Sequence, residues 1–151
     1  MSISSRLNKR LNNLRRYYLG VHYYMVDPEY DALRSLDVME VKRLIDNELL
    51  TEDLMLCNDR LRKCVKISRG AKVCKFEVSG HDVILKVDEL LNVDIDDLIA
   101  HIITSKGETR KVYSPCKGYI LIIEELPERP EKYSIYVVGD EYVSELEFRT
   151  T

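Results

Sequence analysis

The sequence predicts an α+β fold in which short N-terminal helices precede a C-terminal all-β barrel, and three observations carry that expectation. Apolar residues recur at spacings of three and four through the first part of the chain. Apolar–polar alternation begins near Cys64. From there onward turn residues punctuate the chain at short intervals, as they do in barrels and sandwiches. The change divides the chain into a helical region, 1–62, and a β domain, 63–151.

At 151 residues, 45% of them hydrophobic, the chain is long enough for one packed domain or for a small domain with a helical appendage. No run approaches the ~18 consecutive apolar residues of a membrane-spanning helix. Residues 1–19 carry scattered charges and lack the apolar stretch of a secretory signal. A cytoplasmic protein is the expectation. Cys57, Cys64, Cys74 and Cys116 include no C-x-x-C pair, so buried reduced thiols are expected in place of a zinc or redox site. His22, His81 and His101 share no metal-ligand spacing, and Asp94, Asp96 and Asp97 lack the glycine and distal glutamate of a calcium loop. No metal is expected.

The first element places Leu7, Leu11, Leu14 and Tyr18 on one face of a helix over 5–19, with Ser4 and Ser5 as caps. Arg6, Lys9, Arg10, Arg15 and Arg16 occupy its remaining surface, which suits RNA, a membrane surface or a partner, or else simply solvates its cations. The net charge of -3 hides this asymmetry: residues 1–25 hold no acid, whereas 27–62 are predominantly acidic. A single continuous nucleic-acid face is therefore not expected. Tyr17, Tyr18, Tyr23, Tyr24 and Tyr30 cluster at the joint between the two parts, where tyrosines pack between helices with their hydroxyls wet.

Short acidic helices are expected over 28–62. Asp27-Pro28-Glu29 reads as a helix start, and Asp37 with Glu40 reads as a capping box ahead of Val38, Val41, Leu44 and Ile45. Thr51-Glu52-Asp53 opens a further turn before Leu54 and Met55. Beyond Cys64 the runs CVKIS, KVCKFEV, DVILKV, AHIIT, RKVYS, GYILII and YSIYVV read as short strands. Ser79-Gly80 is expected to be a hairpin turn, and Glu124 to Lys132, with Pro127 and Pro130, a stiff charged loop.

The most informative stretch is Val87 to Ile123. Thr104-Ser105-Lys106-Gly107 lies between two strand-like runs, where Gly107 supplies the positive φ of a tight turn and Lys106 stands at its tip. Ser114-Pro115-Cys116-Lys117-Gly118 forms a second turn before a strongly apolar strand. This layout resembles the biotinyl/lipoyl carrier domains, whose acceptor lysine occupies a hairpin tip. In that resemblance Asp97-Leu98-Ile99-Ala100 corresponds to the opening motif, Lys106 to the acceptor and Pro115 to Gly118 to the closing turn. Ser105 and Gly107 stand where biotin acceptors have methionines, and Asp96 where the opening turn has glycine. The segments TSKGETRKVYSP and GYILIIEELPERPEKY further resemble a little-characterised archaeal family, known chiefly from methanogens, with such a barrel. The resemblance implies a barrel-sandwich hybrid fold over 63–151 and no reaction.

No Ser/His/Asp order, glycine-rich phosphate loop or His-Glu metal motif appears. The functional expectation is a non-catalytic binding or scaffolding module with a protein partner and no cofactor. Two alternatives stand beside it. In one, Lys106 carries a covalent lipoyl or biotinyl group; in the other, the basic N-terminal helix engages RNA or a membrane. Cys116, beside Lys117, is retained as a thiol to probe.

Overall fold

Strands govern this chain from its first described residues. The computed structural model describes residues 20–27, 32–127 and 130–146, so the basic helix expected over 5–19 and Pro28-Glu29 lie outside it. β1 (Val21–Asp27) and β2 (Ala32–Leu36) pair antiparallel, with Tyr23 opposite Leu36. A single α-helix among the described residues follows, α1 (Val38–Arg43). It starts at the capping box read from the sequence: the Glu40 N–H donates to Asp37 Oδ1 at 2.8 Å, and the Asp37 N–H to Glu40 Oε1 at 3.3 Å. β3 (Ile45–Asp46) and β4 (Leu49–Leu50) form a two-residue hairpin through Asn47 and Glu48, both left-handed at φ 51° and 62°. β5 (Leu54–Asn58) and β6 (Lys63–Ile67) form a second hairpin.

The short helices expected between 28 and 62 are thus, among the described residues, largely strands, and the α+β expectation gives way there to a nearly all-β structure. Leucine, lysine and glutamate favour helix intrinsically. Here, however, Leu54 and Leu56 are buried on one face of β5 beside Val65 and Ile67 of β6. That burial on a pleated sheet overrides the local preference.

β7 (Val73–Gly80), β8 (Asp82–Leu85), β9 (Asn92–Val93), β10 (Leu98–Ile103), β11 (Thr109–Tyr113), β12 (Gly118–Leu126) and β13 (Glu131–Val138) follow, and a 3-10 turn at Asp140–Tyr142 leads into β14 (Val143–Leu146). They assemble into three principal sheets, ordered β14-β6-β5-β1-β2, β7-β13-β12-β9 and β11-β10-β8. The first sheet crosses the boundary expected at 62/63, because β6 pairs with β5 on one side and with C-terminal β14 on the other. Gly80 is the last residue of β7 and makes no hairpin there: β7 pairs with β13, while β8 pairs with β10. A Cβ at Gly80 would lie 2.9 Å from the Ile102 Cβ, so glycine here serves the close approach of β10. Much of the expected charged loop is strand, since β12 runs to Leu126 and β13 begins at Glu131.

The four-stranded sheet is the wall between two cores. Leu121 and Ile122 of β12 and Tyr136 and Val138 of β13 join Tyr23, Leu56, Val65 and Ile67 in the first core. Ile120, Ile135 and Val137, from the same two strands, join Val93, Ile99 and Ala100 in the second. A strand buried on both faces has no polar face, which is why GYILII and YSIYVV are near-continuous apolar runs. The register of β12 against β13 shifts between Ile120 and Ile122, and the Tyr23 hydroxyl donates to the Leu121 carbonyl at 2.6 Å.

Candidate functional site

Lys106 stands where the turn chemistry places it, at the exposed end of the β10–β11 hairpin. The Thr104 N–H donates to the Glu108 carbonyl at 2.8 Å, the Gly107 N–H to the Thr104 carbonyl at 2.9 Å, and the Glu108 N–H to Thr104 Oγ1 at 3.1 Å. Gly107 has φ +81°, the left-handed geometry that glycine adopts without penalty. Lys106 has no carboxylate partner among the described residues, whereas Arg110 pairs with Glu108 at 3.6 Å. At the other end of this sheet, Asp96 takes φ +71°, and its N–H donates to the Ser114 carbonyl at 2.8 Å. Aspartate tolerates this conformation, so the residue standing in the glycine slot keeps the turn. Gly118 has no such substitute: a Cβ there would lie 1.9 Å from the Val138 carbonyl oxygen.

The hairpin belongs to the three-stranded sheet, whose inner face (Val83, Leu85, Ala100, Ile102, Val112) packs into the second core. Alternation turns the cross-strand rows Leu98–Tyr113, Ile84–His101–Lys111 and Asp82–Ile103–Thr109 outward. Ile84 is 46% exposed and Tyr113 50%. His101 is half-buried in the middle row.

A second locus surrounds the cysteines, which the sequence reading expects as free thiols. They are paired instead. Cys57 and Cys64 lie directly opposite on β5 and β6, and Cys74 of β7 is bonded to Cys116 in the turn before β12. Sequence separations of 7 and 42 conceal this, because strand register and the sheet arrangement create the proximity. Cys116 is therefore not a free nucleophile. The Cys74–Cys116 bond borders an open cleft of about 740 Å³ that Lys72, Lys75 and Lys117 also line.

A third locus lies beside the first core. Asn58 is fully buried and donates to the Glu89 carbonyl at 2.7 Å, and the Arg60 guanidinium meets Asp88 at 2.7 Å and Glu89 at 3.7 Å. Burial, then the hydrogen bond that its carboxyl gives to Asp88, pushes Glu89 up to about 8. Half-burial acts the same way on Asp88, but the Glu89 hydrogen bond and the Arg60 charge outweigh it and hold Asp88 below its usual range. Burial, then the Glu89 and Asp88 charges, keeps the Tyr23 hydroxyl protonated. The only advance signal of this pair is the adjacency of two acids before Leu90-Leu91.

The remaining polar candidates have local partners or lie elsewhere. His22 Nε2 meets Asp59 at 3.0 Å, and His81 is exposed. Asp94 and Asp97 accept from the backbone N–H groups of Ile95 and Asp94. No group of three or more His, Cys, Asp or Glu among the described residues is placed to hold a metal ion. Arg6, Lys9, Arg10, Arg15 and Arg16 lie outside the described residues. No helix among the described residues is long and apolar enough to cross a membrane.

By architecture, then, the described residues form layered antiparallel β-sheets and display a lysine-tipped hairpin. The chain belongs to the family described as "Uncharacterized protein conserved in archaea (DUF2118)", whose profile matches residues 36–141, from the end of β2 to the 3-10 turn. It is also similar to an uncharacterized protein of Methanocaldococcus jannaschii, with 28% identity over 123 residues that cover 78% of this chain and 75% of that protein.

Proposed function

We propose that this protein is a non-catalytic binding module that offers the outer face of the β8–β10–β11 sheet, with the hairpin at its end, to a protein partner. The observation behind this reading is the apolar side-chain set on that face, where exposed Ile84 and Tyr113 accompany half-buried Leu98 and Ile103. A solvated sheet face ordinarily carries polar side chains; here Ile84 and Tyr113 are exposed among Asp82, His101, Lys111 and Thr109, and large apolar side chains left in water suit an interaction surface. Lys106, Arg110 and Lys111 stand against Glu108 and Asp82 at the tip and on this face, and Arg110 is paired with Glu108, so the partner that fits offers apolar side chains with a carboxylate for Lys106 or Lys111. Affinity purification from the native host, with wild type and with an Ile84→Asp/Tyr113→Asp protein, tests it. Proteins recovered reproducibly with wild type should fall by about tenfold or more with the double variant. Equal recoveries, or none with wild type, sink the reading.

The resemblance to the biotinyl/lipoyl carriers supports a second reading, in which Lys106 is acylated by a ligase. It is favoured by an exposed lysine at a hairpin tip, with no carboxylate partner among the described residues. The β10–β11 hairpin would then supply positioning while the attached group supplied the chemistry. Intact mass of protein from the native host, grown with biotin and lipoate, should exceed the sequence mass by one acyl group, and Lys106→Arg protein should show only its own sequence mass. An unmodified wild-type mass removes this reading.

A further inference from the structure

The two disulfides sit in opposite settings. Cys57 and Cys64 are each 8% exposed and face each other between paired strands. Cys116 is similarly buried at 5%, but its partner Cys74 is exposed, and both line the cleft that carries three lysines. Lys72 and Lys117 have no carboxylate partner among the described residues, and Lys75 lies over the Tyr136 ring, 5.5 Å from its centroid. Glu48, Asp140 and Glu141 complete the charged part of the wall.

We infer that the Cys74–Cys116 bond is a thiol–disulfide exchange site, opened at the Cys74 sulfur by a small ionic thiol that enters this cleft. A thiolate attacks along an accessible path, and cations beside a sulfur stabilise its thiolate. The incoming thiolate forms a bond to Cys74 Sγ while the Cys74–Cys116 bond breaks. Its electron pair leaves on Cys116 Sγ, which then takes a proton from water. A second thiolate attacks the mixed disulfide, releases the small molecule as its own disulfide and leaves Cys74 as a thiolate in the cleft that the lysines line. Two electrons have passed from two small thiols to the protein, and an external small-molecule disulfide reverses both steps. Ammonium and carboxylate groups share the wall, which favours a thiol that itself carries both charges, such as a free amino-acid thiol.

Treating oxidised wild-type protein with cysteine, then alkylating and mapping peptides over time, tests the inference. Cys74–Cys116 should open about tenfold faster than Cys57–Cys64, with a smaller ratio for neutral 2-mercaptoethanol at matched thiolate concentration. Lys72→Ala/Lys117→Ala should slow opening of Cys74–Cys116 severalfold and leave Cys57–Cys64 unchanged. Given cystine, Cys116→Ser protein should take one cysteine on Cys74 faster than Cys74→Ser protein takes one on Cys116. If the serine variants do not fold, the rate ratio in wild type decides alone. Simultaneous opening, earlier opening of Cys57–Cys64, or protein isolated in air with four alkylatable thiols overturns the inference.

Discussion

The two cores share the β7-β13-β12-β9 sheet as a wall and differ in what they hold against it. The second is filled by aliphatic side chains together with Cys116 and Phe76. The first holds the Tyr23 hydroxyl against the Leu121 carbonyl, and the Asn58–Glu89–Asp88–Arg60 group sits beside it. One face of the sheet thus packs chiefly by shape, with a local polar contact at the Ser114 hydroxyl in the Cys116 turn, and the other also satisfies polar contacts between distant elements. Because they share that wall the cores should melt together, and the part of their common stability that depends on pH and on single hydrogen bonds should come from the first.

Four changes would break or sharpen this contrast. Gly118→Ala sets a Cβ 1.9 Å from the Val138 carbonyl oxygen at φ +146°, at the start of the strand that divides the cores. A loss of at least about 3 kcal/mol in one cooperative urea transition is expected. Two separable transitions, one of them unshifted, would show that the cores do not fold as one unit.

Next in size is the pH effect of Glu89. Its carboxyl titrates near 8 in the folded chain against 4.5 in the open one, so between these values the folded state holds more protons. Its stabilising contribution is full below about 4.5 and is lost as pH rises through 8. Wild type should therefore lose about 1–3 kcal/mol more than Glu89→Gln between pH 5 and 9, measured by denaturant titration. Asp88, shifted down, loses its contribution only as pH falls through its folded value and leaves that window untouched. Parallel wild-type and variant profiles would refute the assignment.

Tyr23→Phe removes the donor to the Leu121 carbonyl and should destabilise by about 1–2 kcal/mol, because a buried acceptor is left unpaired. An unchanged denaturation midpoint would mean the bulged strand needs no such partner. Gly107→Ala is expected to be the smallest, about 1 kcal/mol, since a Cβ there meets open space and only the positive φ resists it. A larger loss would tie the hairpin tip to the second core.

What was readable in advance follows from what each residue pattern reports. Period-two alternation in RKVYS and the continuous apolar runs GYILII and YSIYVV announced strands, and Lys106-Gly107 announced a turn tip, because each is a property of a few consecutive residues. Asp37 and Glu40 announced their capping box for the same reason. The stretch from Leu33 to Leu61 misled because its charged and leucine-rich composition favours helix, whereas Leu54 and Leu56 are claimed by β6 and by the first core. Cys74 and Cys116 carried no signal of their bond, and the raised pKa of Glu89 had only the adjacency of Asp88 and Leu90-Leu91 to announce it.

The amino-acid order alone determined the Thr104–Gly107 and Ser114–Gly118 turns, the cap and the strands whose outer faces are polar or whose both faces are apolar, since these depend on neighbours along the chain. Folding in three dimensions decided the strand identity of the region before residue 62, the joining of β14 to β6, both cysteine pairs and the protonation of Glu89. Each of those depends on side chains brought together from distant positions, and only the stacked sheets supply that proximity and the exclusion of water that makes it matter.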